Sequence, residues 1–119
     1  MLRVMAKASM HESTYLILTA LVEAPRHGYA LLDEVRRISD GRVDLRAGTL
    51  YAALDRLRTD GLVDIEREEQ VQSRLRRYYR LTAPGARRLA EESARLRSNA
   101  DAASVRLRRA GLIFDGGAA

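Results

Sequence analysis

The chain has 119 residues, enough for one domain with a small core, or for one domain with an added element. Lys and Arg outnumber Asp and Glu by 21 to 16, and the net charge of +5 favours an anionic partner, with nucleic acid ahead of a membrane surface. The absence of Cys excludes a disulfide framework and a thiolate metal site. The longest apolar run, YLILTALV, is too short to span a bilayer, and no signal core precedes it, so we expect a cytoplasmic protein without a membrane partner.

The first predicted element is a helix. Ser9 and Glu12 have the spacing of a capping box, in which each side chain accepts a hydrogen bond from the other residue's backbone N–H. The stretch from Leu16 to Val22 is apolar nearly all round, which predicts a central, buried helix that Pro25 ends.

A second helix is predicted from Gly28 to Ser39, with Gly41 as the C′ residue after its end. Its polar and charged positions alternate at helical spacing with four apolar residues that we expect to face inward: Leu31, Leu32, Val35 and Ile38.

The third predicted helix covers RAGTLYAALDRLRTDGL at 46–62 and ends at Asp60-Gly61. Its beginning lacks the usual Ser, Thr, Asp or Asn cap, because Arg46, Ala47 and Gly48 stand there. An uncapped helix start keeps N–H donors and a positive dipole end free for an anion.

Two strands follow. Val63 and Ile65 alternate with acidic residues, and RRYYRLT at 76–82 places Tyr79 and Leu81 on one face and Tyr78 between arginines on the other. The intervening EEQVQSRL at 68–75 is predicted as a polar connection that lacks the Gly, Pro or Asn of a tight hairpin.

A last helix is predicted over about 83–110, with Thr82 as its cap and Pro84 in its first turn. Small and apolar residues recur along it at alternating steps of three and four, the seam of a left-handed helix pair. We expect this helix to join two copies of the chain; the alternative is a helix lying on its own domain. The seam residues are Ala86, Leu89, Ser93, Leu96, Ala100, Ala103, Leu107 and Ala110.

The predicted fold is mainly α with a small β-hairpin. Three helices followed by a hairpin are the element order of a winged helix-turn-helix domain, which we place at 1–82. A dimerisation helix at 83–112 and a disordered tail at 113–119 follow it. In that architecture the third helix enters the DNA major groove. Arg46 and Gly48 would then lie near a phosphate, Thr49 would donate to a phosphate or base edge, and the Tyr51 hydroxyl would reach a phosphate. The alternative is that Gly48 only eases a turn and Tyr51 only packs.

The second strand concentrates positive charge. Its arginines repel one another, and a DNA phosphate near Tyr78 would relieve that repulsion; alternatively, the glutamates of the facing strand neutralise part of the cluster. The arginines are Arg74, Arg76, Arg77 and Arg80.

Three blocks of sequence carry a resemblance to a known family. HGYALLDEV at 27–35, GTLYAALDRLRTDGLV at 48–63 and RRYYRLTAPG at 76–85 resemble, in order and spacing, the PadR family of bacterial transcriptional regulators, specifically its smaller subfamily with one C-terminal helix. The resemblance covers about residues 9–110. It departs from the family pattern at Ala52, Arg58 and the Gln72-Ser73 tip, where Pro, Glu and Gly are frequent.

The resemblance implies a homodimer joined through the C-terminal helix, with help from the N-terminal one. It also implies repression of a detoxification, efflux or stress operon at an inverted repeat in double-stranded DNA. Some members bind an aromatic or drug-like effector between subunits; an effector of this chain stays open, and no cofactor is expected. By position, the DNA-facing set is His27, Tyr29, Gly48, Thr49, Tyr51, Arg74, Arg76, Arg77 and Tyr78, and Leu81, Thr82 and Gly85 are structural.

An enzyme is not expected, because His11 and His27 fall on different elements and no carboxylate pair accompanies either. Two other classes stay open: a protein–protein adaptor that uses the heptad helix, and a non-specific or RNA-associated basic protein. The second would need exposed aromatic platforms, which are scarce here.

Overall fold

The structure, a computed structural model, describes residues 9–112; the tail predicted at 113–119 lies outside this range, as do the first eight residues of the predicted DNA-binding domain. The elements in chain order are α1 (Glu12–Ala20), β1 (Arg26–His27), α2 (Gly28–Ile38), α3 (Ala47–Thr59), β2 (Val63–Val71), β3 (Arg74–Leu81) and α4 (Ala83–Arg109). This order confirms the prediction of a mainly helical chain with a hairpin and a long C-terminal helix.

The core lies where α1 meets α2, α3 and the base of the hairpin. Leu16, Ile17 and Leu18 of α1 are buried, as predicted for a central helix. The residues that surround them from the other elements are Leu31, Val35, Leu50, Ala53, Leu54, Leu57, Val63 and Tyr79. Two predictions of inward-facing residues were wrong: Val22 is 55% exposed because α1 ends before it, and Ile38, in the last turn of α2, is 40% exposed.

The predicted capping box of α1 is absent from the described residues. His11 is the N-cap and its side chain makes no capping hydrogen bond. The Glu12 carboxylate instead accepts hydrogen bonds from Arg42, with Nη2 2.6 Å away, and this long-range pair lowers the Glu12 pKa. An ion pair to a distant loop therefore replaces the local cap that the spacing predicted.

The end of α2 differs from the prediction by one residue. Asp40, with φ of 53°, takes the left-handed C′ position, and Gly41 follows with φ of 81°. The Gly41 N–H donates to the Arg36 carbonyl at 2.8 Å, the long hydrogen bond of a Schellman ending. Asp adopts the left-handed region more readily than most residues, so it can occupy the C′ position. Gly41 adopts the second positive φ that the turn requires.

The three strands form one antiparallel sheet in the order β1-β3-β2. β2 and β3 extend until Val71 pairs with Arg74, so the connection at 68–75 predicted as a loop is mostly strand. Gln72 and Ser73 alone form the turn, with φ of 50° and 66°, the signature of a type I′ hairpin. β1 was not predicted; Arg26 and His27 pair with Tyr79 and Tyr78.

The first turn of α4 docks on the corner between α3 and β2. Thr82 caps α4 as predicted, accepting a hydrogen bond from the Gly85 N–H at 3.0 Å. The Thr82 hydroxyl in turn donates to the Gly61 carbonyl at 2.6 Å. A Cβ on Gly85 would lie 2.0 Å from the Leu62 carbonyl oxygen, so only glycine permits this close approach.

Candidate nucleic-acid interface

The beginning of α3 is uncapped, as the sequence predicted. Arg46 is the N-cap in an extended conformation, and no side chain among the described residues caps the helix. Gly48 and Thr49 are exposed, and a Cβ on Gly48 would meet no atom within 4 Å. The protein's own packing therefore does not require glycine at position 48, and the first N–H groups of α3 are open to an external acceptor.

The beginning of α2 has an unusual cap. His27 Nδ1 accepts from the Ala30 N–H at 3.4 Å, so the neutral imidazole carries its proton on Nε2. Its ring contacts the edge of Tyr78, with centroids 5.3 Å apart. Burial, and then the nearby Arg76 guanidinium, lower the His27 pKa below its ordinary value. The hydrogen bond from the Ala30 N–H and the positive charge of Arg76 thus both favour the neutral imidazole.

Two tyrosines flank the N-terminal ends of α2 and α3. Tyr29 is 70% exposed on α2, while Tyr51 is 44% exposed and its hydroxyl lies against Gly28. Partial burial raises the Tyr51 pKa above its ordinary value. Tyr51 therefore both packs between the helices and keeps part of its ring at the surface, so the two interpretations of this residue are not exclusive.

The arginines of the hairpin divide by their partners. Arg77 Nε lies 2.8 Å from the Glu68 carboxylate, and Arg80 lies 3.5 Å from Asp64 and 3.7 Å from Glu66. Arg74 and Arg76 have no ion pair within the described residues, although Arg76 lies opposite Glu69, whose carboxylate pairs with Arg67. Partial neutralisation by the facing strand thus holds for half of the cluster, and the unpaired half is the more suitable for phosphate.

Tyr78 is engaged by its own hairpin. The Arg67 guanidinium carbon lies 3.8 Å from its ring centroid, and Arg67 and then Tyr78 lower the pKa of the Glu69 carboxylate. Such a cation–π contact orders both side chains. Tyr78 consequently forms a platform between Arg67 and His27, a role that the sequence did not indicate because it depends on the strand register.

A cleft of about 490 Å³ lies between the hairpin and the beginnings of α2 and α3. Six of the ten residues predicted to face DNA line it: His27, Tyr29, Tyr51, Arg74, Arg76 and Arg77. Arg46, Gly48 and Thr49 lie beside it at the start of α3, and Tyr78 lies outside the lining. The cleft also includes apolar residues that sequence analysis missed, such as Val71 and Leu75, because residues 68–75 were expected to be loop.

The predicted seam of α4 falls into two parts. Leu89 packs against the core of its own chain, whereas Leu96 and Leu107 are 42% and 43% exposed and Ala100 and Ala103 are exposed. From residue 94 to 112 every side chain is exposed. The first part of α4 therefore lies on the domain and the second part projects from it.

Other kinds of site lack support within residues 9–112. In that range no helix is long and apolar enough to cross a bilayer, and no three His, Asp or Glu residues are grouped to hold a metal ion.

The helix order, the sheet and the cleft define a winged helix-turn-helix protein. The chain belongs to the transcriptional regulator PadR-like family, whose family model matches residues 17–91. Members of this family are transcriptional regulators rather than enzymes. A search of curated proteins found no match.

Solved structures of the same family resemble this chain over most of its length. A PadR family transcriptional regulator from Eggerthella lenta is 33% identical, with a TM-score of 0.66 over 79% of this chain and 80% of that one. A PadR family regulator from Clostridium difficile is 26% identical, with a TM-score of 0.68 over 82% of this chain and 99% of that one.

Bacillus subtilis PadR, whose structure is a complex with operator DNA, shares the fold. It is 22% identical, with a TM-score of 0.59 over 66% of this chain and 45% of that one.

Proposed function

We propose that this protein is a sequence-specific DNA-binding transcriptional regulator that inserts α3 into the major groove. The observation that carries the proposal is the cleft: an uncapped helix start, two unpaired hairpin arginines and two partly exposed tyrosines converge on one surface. Helix N–H groups and guanidinium groups are both suitable donors to phosphate. The complex of Bacillus subtilis PadR with operator DNA supports this use of the fold.

The proposed assembly is a homodimer joined along the projecting part of α4, through the seam residues Leu96, Ala100, Ala103 and Leu107. Leu89 would contribute at the base of the interface. A two-fold dimer presents two copies of α3 on one face of the duplex, so half-sites are expected as inverted repeats roughly 10 bp apart, or a small multiple of that. The exposure of leucines on the projecting part supports a partner there.

The proposed regulatory role is repression of a detoxification, efflux or stress operon in the cytoplasm. This part rests on the family resemblance, as does an aromatic or drug-like effector bound between subunits. Such a ligand would act by changing the angle between the two winged domains. No tryptophan is present to stack on it, so any aromatic contact would use Tyr or Phe.

The decisive experiment is a fluorescence-anisotropy titration of the purified protein with the duplex upstream of its own gene. A shuffled duplex of the same composition is the matched control, and each is measured at two salt concentrations. Preference for the native duplex that survives the higher salt supports a sequence-specific regulator. Equal and salt-labile binding to both contradicts a regulator of this locus.

The adaptor hypothesis has one supporting observation, the exposed heptad part of α4. It predicts that DNA affinity is no greater than that of an unrelated protein of equal charge. If a library of randomised duplexes also fails to yield a selected sequence, the adaptor becomes the better account.

A further inference from the structure

α4 is attached to the winged domain at two places. The first is its base, where Thr82 and Gly85 contact Gly61 and Leu62 and where Leu89 packs against the core. That contact fixes where the helix begins. A helix held only at one end can still tilt, so its direction requires a second attachment further along.

The second attachment is a buried carboxylate. Glu92 is only 3% exposed, one of two buried polar side chains among the described residues. It accepts a hydrogen bond from the backbone N–H of Met10, which directly precedes α1's N-cap. Arg95 pairs with it closely, and Arg88 Nη1 lies 3.9 Å away. The hydrogen bonds from Arg95 contribute most to a lowered Glu92 pKa, so the group stays ionised at neutral pH.

Beyond Glu92 the helix leaves the domain. Ser93 is partly buried, and the side chains from Ala94 onward are exposed. The 16 residues from Ala94 to Arg109 span about 24 Å at the helical rise. Glu92 is therefore the last polar contact between the domain and the projecting part.

We propose that Glu92 is the positioning residue that fixes the direction of the projecting part of α4, and so the distance between the two α3 helices of a dimer. The inference rests on the proposed homodimer. α4 is 27 residues long, about 40 Å, so a tilt of about 10° around its first turn displaces its last turn by roughly 7 Å. Such a displacement is a substantial fraction of the roughly 34 Å between half-sites one DNA turn apart.

The chain contains no Cys, so one introduced cysteine gives a single labelling site. A nitroxide on Ala52→Cys, an exposed position on α3, reports the distance between the two α3 helices by double electron–electron resonance. The full chain without DNA is compared in four backgrounds: unmodified, Glu92→Ala, Glu92→Gln and Asp101→Ala. Asp101→Ala removes the same charge from an exposed position of the same helix.

We expect Glu92→Ala to broaden or shift the distance distribution by roughly 5 Å or more, because α4 then keeps only its first attachment. Glu92→Gln keeps an acceptor for the Met10 N–H and should shift it less. Asp101→Ala should leave it unchanged. Circular dichroism and sedimentation of each variant verify that helix content and the dimer persist, and Glu92→Gln decides if Glu92→Ala fails to fold.

A second readout is the spacing between half-sites in the duplexes that the protein selects from a randomised library. Only Glu92→Ala should accept a wider range of spacings. An unchanged distance distribution in a folded, dimeric Glu92→Ala protein overturns the inference and leaves the proposed function intact. A Glu92→Ala protein that is monomeric while Asp101→Ala remains dimeric overturns it too, since Glu92 would then control association. An unmodified protein that sediments as a monomer overturns the proposed dimer itself.

Discussion

The hydroxyl of Tyr51 lies so close to Gly28 that a Cβ at position 28 would be 2.1 Å from the hydroxyl oxygen and 2.8 Å from the ring carbon that bears it. This contact joins the second turn of α3 to the first turn of α2. It explains why glycine follows His27, although an alanine would ordinarily stabilise a helix. The spacing of the two helices that face the cleft therefore depends on a side chain that also reaches the surface.

The Gly28→Ala variant is expected to displace the Tyr51 ring and to lower the free energy of unfolding by about 1–2 kcal/mol, the usual cost of overpacking. In a Tyr51→Ala background the same change should cost little, or stabilise through helix propensity. Urea denaturation of the two single variants and the double variant measures the coupling. Additive effects would show that the two residues act independently.

Gly48 is expected to behave in the opposite way. Its Cβ would meet nothing within 4 Å, so Gly48→Ala should leave stability unchanged or raise it by up to about 1 kcal/mol. DNA affinity should nevertheless fall, because the methyl group blocks backbone approach to a phosphate. Thermal unfolding and anisotropy titration are to be measured on the same preparation. An unaltered affinity would remove position 48 from the interface.

Arg76 and Arg77 are neighbours with different surroundings. Arg76 has no ion pair within the described residues, whereas Arg77 is held by Glu68. For DNA binding, the slope of the logarithm of the binding constant against the logarithm of the salt concentration should become less steep in Arg76→Ala. The expected change is about 1 per bound subunit, so about 2 for a dimer. Arg77→Ala is the matched control and should change the slope less. Equal slopes for both variants would mean that DNA displaces the Glu68 pair.

His27 makes stability depend on pH. Its pKa is lowered in the folded state from an ordinary value of 6.5, so the unfolded chain binds more protons just below that pH. The contribution of His27 is therefore present above about pH 6.5 and is lost as the pH falls through the folded pKa. His27→Ser retains a capping oxygen but has no titrating ring. The stability of this variant should therefore not show the loss at low pH that His27 causes.

The comparison requires urea denaturation of both proteins across pH 5 to 8. His11→Ser is the control for removal of a histidine, because the His11 side chain makes no capping hydrogen bond. An identical pH profile for His27→Ser and the unmodified protein would contradict the assigned cap.

The sequence predicted the helices well because their signals are local. The apolar period of α2 and α3, the missing cap at Arg46 and the cap at Thr82 all depend on residues within one or two turns. β1 could not be predicted, because two residues have no period and its partners, Tyr78 and Tyr79, are about fifty positions away. The turn was missed because Gln72 and Ser73 adopt positive φ without the glycine or asparagine that usually marks it.

The residues of the candidate site were easier to predict than their partners. Glu68 lies opposite Arg77, and Asp64 opposite Arg80, only in the register that the two-residue turn sets. With residues 68–75 taken as a loop, no register followed, so the arginines seemed equivalent. Arg76 lies opposite Glu69 in the same register, but the Glu69 carboxylate pairs with Arg67, so the separation into paired and unpaired arginines comes from the side-chain contacts of the fold.

The proposed dimer seam has an internal control on the same helix. Leu96 lies on the heptad seam and is 42% exposed, while Val105 lies off it and is 37% exposed. Leu96→Asp should dissociate the dimer, because it places a charge in an apolar interface. Val105→Asp introduces the same group at similar exposure and should leave the dimer intact. Sedimentation velocity distinguishes the two, and a dimer that survives Leu96→Asp would place the interface on another surface.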